Sequence, residues 1–142
     1  MSDERARLFV ALELPEPVRA SLVDWRTRSL ADVAGLRLVR EEALHVTLCF
    51  LGWRAAVEID AIAAACETVS GAAAGRLSVG ESVWLPKRRP RVLAVRIEDS
   101  GDALTQLEAS LSDVLQAGGW YEPEARPFLA HVTVARVPAR GW

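Results

Sequence analysis

The tripeptide His-Val-Thr occurs twice, as His45-Val46-Thr47 and His131-Val132-Thr133, and these are the only two histidines in the chain. Both copies sit in β-branched, apolar runs that read as strands. Successive side chains of a strand point to opposite faces. His45, Thr47 and Cys49 are therefore expected on one face, with Val46, Leu48 and Phe50 on the core side. The second copy repeats this with His131, Thr133 and Ala135 set against Val132 and Val134. His45 and Thr47 lie roughly 6.6 Å apart along such a strand, so an imidazole and a hydroxyl can grip one small anion, with phosphate the obvious candidate. A lone histidine in an apolar strand is ordinarily a packed residue. That a chain's whole histidine complement should fall by accident into one repeated tripeptide is a much poorer explanation. Two imidazoles in equivalent settings suit a reaction in which one proton is removed and another delivered on opposite sides of a reacting centre.

The surroundings of the two tripeptides also correspond. Residues 7–14 read as a buried strand ended by Pro15 and Pro17, either of which can open a helix. Val18, Leu22 and Trp25 then give an amphipathic stripe to about Leu30. After the turn at Gly35, a short strand over 36–40 and a turn at Glu41-Glu42-Ala43 lead into the first histidine strand, which is expected to end near Gly52-Trp53. A second helix has Ile59, Ile62, Ala63, Cys66 and Val69 on one side and fades into the small residues of 71–75. Strands over 77–85 and 91–98 are joined by Pro86-Lys87-Arg88-Arg89-Pro90. A third helix is expected from Asp102 as N-cap, with Leu104, Leu107, Leu111, Val114 and Leu115 buried and Gly118-Gly119 as its stop. The loop over 120–127 then delivers the second histidine strand, which runs to Val137. Each half reads strand, helix, histidine strand. This weak duplication predicts two lobes related by an approximate two-fold, each giving one histidine to a shared cleft.

Composition narrows the function classes. The length of 142 residues suits a single domain over 1–142, made of the two lobes. With 17 basic and 19 acidic residues the net charge is −2, which excludes coating a long polyanion through bulk electrostatics. Any nucleic acid would be held locally. No secretory signal and no apolar run of membrane-spanning length is present, so a cytoplasmic protein without a membrane partner is expected. Cys49 on the His45 face makes a thiol nucleophile conceivable, against which the second copy has Ala135; Cys66 reads as core. Two distant histidines and two unclustered cysteines lack the spacing of a metal site, so no metal and no cofactor are expected.

The motifs His45-Val46-Thr47-Leu48-Cys49-Phe50-Leu51-Gly52 and His131-Val132-Thr133-Val134-Ala135-Arg136 resemble the paired His-x-Thr/Ser-x-hydrophobic signatures of the two-histidine (2H) phosphoesterases. Within these the chain is most similar to the RNA 2′,3′-cyclic phosphodiesterases, also called 2′-5′ RNA ligases. The resemblance implies a bilobed α+β fold with a pseudo-two-fold arrangement of antiparallel sheets lining a central groove and helices packed outside. It implies a metal-independent enzyme that opens a 2′,3′-cyclic phosphate to a 2′-phosphomonoester, with 2′-5′ ligation as a further activity. By position, His45 and His131 are the catalytic pair, with His45 as acid and His131 as base. Thr47 and Thr133 bind phosphate oxygens, Arg136 approaches the phosphate or nucleotide, and Phe50 packs against the base. Strict alternation sets both Phe50 and Arg136 on the core face, so Arg136 reaches a cleft only if its strand bulges or ends near Ala135. The partner implied is RNA with a cyclic phosphate end, or a small cyclic nucleotide, bound by a monomer. The basic hairpin tip reads either as a solvated turn or as a local clamp on the backbone of an RNA end. Competing readings are a phosphodiesterase for another small cyclic phosphate, a non-catalytic module that holds RNA ends or nucleotides, and a structural interaction domain. Acid/base catalysis by two imidazoles predicts a bell-shaped pH profile.

Overall fold

A computed structural model of the chain describes residues 4–69 and 76–138. The small-residue stretch 71–75 and the end at 140–142 lie outside the described residues. In chain order the elements are β1 (Arg5–Glu13), α1 (Glu16–Ser29), β2 (Arg37–Leu38), β3 (His45–Ala55), α2 (Ile59–Glu67), β4 (Leu77–Leu85), β5 (Val92–Asp99), α3 (Ala103–Ala117) and β6 (His131–Arg136). The strands form an antiparallel sheet in the order β1-β3-β6-β5-β4, and β2 pairs with β6. The class is the expected α+β, and each half has the strand, helix, histidine-strand order read from the sequence.

The chain divides into two compact units that interleave along it. The first comprises 1–11, 47–76 and 99–128, and the second 12–46, 77–98 and 129–142. In the first, α2 packs on α3, which buries Leu104, Leu107, Leu111 and Leu115 while Val114 stays half-buried. Each fully buried leucine contributes on the order of 1.5–3 kcal/mol of burial free energy. Asp102 stands at the N-cap position of α3 but makes no capping bond. The Asp99 carboxylate accepts from the Leu104 amide instead and satisfies one of the open donors of the first turn. The expected face of α2 needs a similar correction. Ile62 is buried, but Ile59 and Ala63 are exposed, because the helix begins only at Ile59 and presents Ile62, Ala65 and Cys66 inward. At the end of α3 the indole of Trp120 folds back so closely that a Cβ on Gly118 would sit 2.1 Å from it. Any side chain at 118 would force that indole to move.

The second unit is built on β6, β5 and β4 together with the first residues of β3. Helix α1 lies against β4. Its first turn forms because the Pro15 carbonyl accepts from Val18 and Arg19, both at 3.0 Å. Glu16 near the N-terminus and Arg26 and Arg28 in the last turn complement the helix dipole. Leu22 is fully buried, and Val18 and Trp25 flank it half-buried. One turn along the same face comes Arg26, only 6% exposed, where the residue pattern offers no reason to expect a charge.

Candidate active site

Strand β6 is the middle of the second unit, and its partners change along its length. Near its start, Val132 pairs with Val46 of β3; at its end, Ala135 and Arg136 pair with Leu38 and Arg37 of β2. Throughout, β5 runs along its other side. The antiparallel register through Val46 and Val132, both fully buried, turns His45 and His131 to the opposite, open face. His45 comes level with Thr133 and diagonal to His131. Diagonal neighbours on one face are about 7–8 Å apart, which leaves room for a tetrahedral phosphorus between two imidazoles.

Both rings are oriented by the same device. The His45 Nδ1 lies 2.6 Å from the Ala43 carbonyl oxygen, and the His131 Nδ1 lies 2.7 Å from that of Leu129. In each case the acceptor is two residues earlier. A carbonyl oxygen can only accept, so Nδ1 carries a hydrogen in both rings. The equivalence anticipated from the repeated tripeptide thus extends to the atoms.

Burial along the two histidine strands corrects the expected faces. Residues 45–50 and 131–136 follow one pattern: half-buried, buried, half-buried, buried, buried, exposed. Alternation therefore slips by one residue at the same place in both copies. Cys49, expected beside His45, is 1% exposed, and Phe50, expected in the core, is 45% exposed. In β6 the cause is visible in the register. Leu93 pairs with Ala135 and Ala94 with Thr133, so Val134 is an extra residue, a bulge. The bulge brings Arg136 out on the open face with His131 and Thr133, the condition that strict alternation failed to meet.

Arg26, which sequence reasoning missed, sits beneath this bulge. Its guanidinium donates to the Val134 carbonyl at 3.2 Å and to the carbonyl of Val39. The Val39 amide in turn donates to the Val134 carbonyl at 3.0 Å. The bulged carbonyl, left without a regular ladder partner, is thereby satisfied twice. An arginine spaced four residues from a buried leucine on a helix is the only sequence signal that could have pointed to it.

His45, His131, Thr133 and Arg136 all belong to the second unit. Thr47 and Phe50 follow along β3 in the first. There the Arg7 guanidinium stacks 4.9 Å from the centre of the Phe50 ring, a cation–π contact on an exposed aromatic face. Behind it, burial pushes the Cys49 thiol up to about 12, and the Glu108 carboxylate adds to the shift. The Tyr121 hydroxyl that hydrogen-bonds the sulfur is itself pushed up to about 12, again chiefly by burial. Both groups stay protonated at neutral pH, which removes Cys49 as a nucleophile. Since their folded values are raised, the stability they contribute is complete below the ordinary thiol value of 9.0 and is lost as pH climbs from there to about 12. Cys49→Ala, which reproduces the buried Ala135 of the second copy, is expected to leave turnover within about twofold of the parent. Iodoacetamide should leave the native protein active; loss of activity on alkylation of Cys49 would restore the thiol to the site.

Among the described residues no three His, Cys, Asp or Glu side chains converge as metal ligands, and no helix is long and apolar enough to cross a membrane. A shallow depression on the second unit, lined by Glu16, Arg19, Asp24, Thr27 and Glu41, includes none of the site residues.

Residues 12–94 match the LigT-like phosphoesterases. The chain belongs to this family of enzymes. It is 29% identical over 133 residues to the RNA 2′,3′-cyclic phosphodiesterase of Escherichia coli K12, covering 94% of this chain and 73% of that protein. The protein of the same name from Archaeoglobus fulgidus is 30% identical over 131 residues, covering 92% and 72%. Among solved structures, TT0787 of Thermus thermophilus superposes with a TM-score of 0.76 at 29% identity, over 94% of this chain and 76% of that one. E. coli LigT in complex with 3′-AMP gives 0.67, also at 29% identity, over 94% and 74%. Membership places this LigT-like chain among the 2H phosphoesterases, as the two motifs implied.

Proposed function

We propose that the chain is a metal-independent RNA 2′,3′-cyclic phosphodiesterase that leaves a 2′-phosphomonoester by two-histidine acid/base catalysis. The observation that carries this reading is the equivalence of the two imidazoles, each held through Nδ1 by a carbonyl two residues earlier. The names of the relatives support the substrate class.

In this scheme the neutral imidazole of His131 takes a proton from water through Nε2 as the water oxygen attacks phosphorus. The bond from phosphorus to O3′ breaks, and protonated His45 gives its Nε2 proton to the departing oxygen. The product carries a 2′-phosphate and a free 3′-hydroxyl. The histidines end with exchanged protonation states, which proton transfer through solvent resets. Thr47 and Thr133 donate hydroxyl hydrogens to the non-bridging oxygens. Arg136, aligned with them by the bulge, offers a guanidinium fork to the same charge. Phe50 presents a ring on which the terminal base can stack. With a 5′-hydroxyl of RNA in place of water, the same two proton transfers would form a 2′-5′ linkage. The chain then reads as one domain with two duplicated halves of sequence, each supplying a histidine strand, a reading supported by the shared burial pattern of those strands, although both histidines themselves fall in the second compact unit.

The test is hydrolysis of a nucleoside 2′,3′-cyclic phosphate in excess chelator, with the product isomer identified by phosphorus NMR. A 2′-phosphate formed at an undiminished rate is expected. Activity abolished by the chelator and restored by a divalent metal would sink the metal-free scheme, and a 3′-phosphate product would reverse the assigned leaving group.

A further inference from the structure

Beyond the reacting phosphate, the second unit carries a line of cations for which a single nucleotide has no use. Arg37 and Arg136 are directly paired across β2 and β6 and so share one face, that of His131 and Thr133. Like charges placed opposite one another destabilise a strand pair. Neither arginine makes an ion pair with a carboxylate among the described residues. With Arg136 engaged by the reacting phosphate, Arg37 beside it is placed to take the next phosphate along a strand, and two anions on the pair offset that repulsion.

The line continues past Arg136. The register of β5 on β6 pairs Arg96 with His131 and Val92 with Arg136, so the two strands run together from the histidine to the arginine, roughly 13 Å. Arg91 comes next, held to the chain just beyond β6 by its carbonyl, which accepts from the Val137 amide at 2.9 Å. From there the β4–β5 connection presents Lys87, Arg88 and Arg89, all exposed like Arg91, and none in an ion pair among the described residues. Pro86 and Pro90 fix the backbone on either side, and the Arg91 amide donates to the Leu85 carbonyl at 2.9 Å, closing the turn. These cations stand together in a chain whose net charge is −2, so the attraction they exert is local.

We infer that Arg37, beside Arg136, and the basic β4–β5 tip hold the phosphate backbone of an RNA strand upstream of the reacting end, which makes the preferred substrate an oligoribonucleotide ending in a cyclic phosphate. The inference rests on the phosphodiesterase reading for the position of that end. It deepens that reading by naming the length of substrate the surface serves. Guanidinium groups suit the task because their planar fork matches phosphate oxygens bidentately. Contacts of this kind position a strand without selecting its bases.

The experiment compares a nucleoside 2′,3′-cyclic phosphate with a hexaribonucleotide bearing the same end, using the parent and the triple variant Lys87→Gln/Arg88→Gln/Arg89→Gln. In the parent, kcat/KM for the hexamer should exceed that for the nucleotide about tenfold. The triple variant should lose most of that advantage through KM, with hydrolysis of the nucleotide changed less than twofold. Losing three phosphate contacts should also make the log–log salt dependence of hexamer binding shallower by about two. Equal efficiency on both substrates in the parent, or parallel losses on both in the variant, would overturn the inference. If the parent hydrolyses neither, the phosphodiesterase reading fails on its own. Fluorescence anisotropy of a labelled hexamer bearing a 3′-terminal phosphate then decides the tip separately: weaker binding by the variant supports the backbone site, and equal binding refutes it.

Discussion

His131→Ala is expected to lower turnover of a 2′,3′-cyclic phosphate about a thousandfold while the protein stays folded, the middle of the range for removing a general acid or base. His45→Ala should do the same. The side chains are half-buried on the open face, and the fully buried neighbours Val46 and Val132 hold the strand pair without them. A more discriminating variant is His131→Asn. The asparagine amide can still donate to the Leu129 carbonyl that now accepts from Nδ1, but it has no second nitrogen to exchange a proton. It should match the alanine variant in lost turnover and the parent in stability. Turnover retained by His131→Asn would mean that the ring serves its carbonyl and not the substrate. Unfolding of either alanine variant, read by circular dichroism, would return the histidines to the class of packed residues.

Arg26→Met should cost about 3 kcal/mol of stability, the order expected when charge-assisted hydrogen bonds to two carbonyls are lost and those acceptors stay buried. Methionine keeps the apolar length of the stem, so the packing around α1 changes little and the loss reports the guanidinium. In urea unfolding the midpoint should fall without a change in slope. In thermal unfolding the midpoint should drop by roughly 10 °C. Activity should fall as well, measured below the transition and chiefly through KM, because the Val134 bulge that Arg26 holds is what turns Arg136 outward. A variant as stable as the parent would show that the Val39 amide alone satisfies the bulged carbonyl. A destabilised variant with unchanged KM would separate the bulge from the phosphate site.

Much of this architecture was legible in the sequence. Proline and glycine punctuation and the two hydrophobic periods located α1, α2, α3 and the main strands, because those signals are local. Some boundaries moved: the strand expected over 36–40 is only Arg37–Leu38, and β3 continues past Gly52, which takes a positive φ of 73°, to Ala55. The caps and faces were less secure. Asp102 looked like the N-cap of α3, but Asp99 reaches the open amide, a choice made by the path of the chain leaving β5. Ile59 and Ala63 fit a helical stripe, yet lie outside the face that α2 turns inward.

Residue type and spacing were enough to single out the repeated histidine and threonine positions and the duplicated order of elements, and the resemblance of the two motifs to a known family supplied the α+β class. The faces that Phe50, Cys49 and Arg136 occupy were settled by folding alone. Alternation along a strand holds until a residue is inserted relative to the neighbouring strand, and that depends on partners far away in the chain. At Val134 those partners are Leu93, Ala94, Val39 and Arg26. The burial of Arg26 has the same origin: a cation is expected to seek water unless distant carbonyls converge on it, and only folding brings them there.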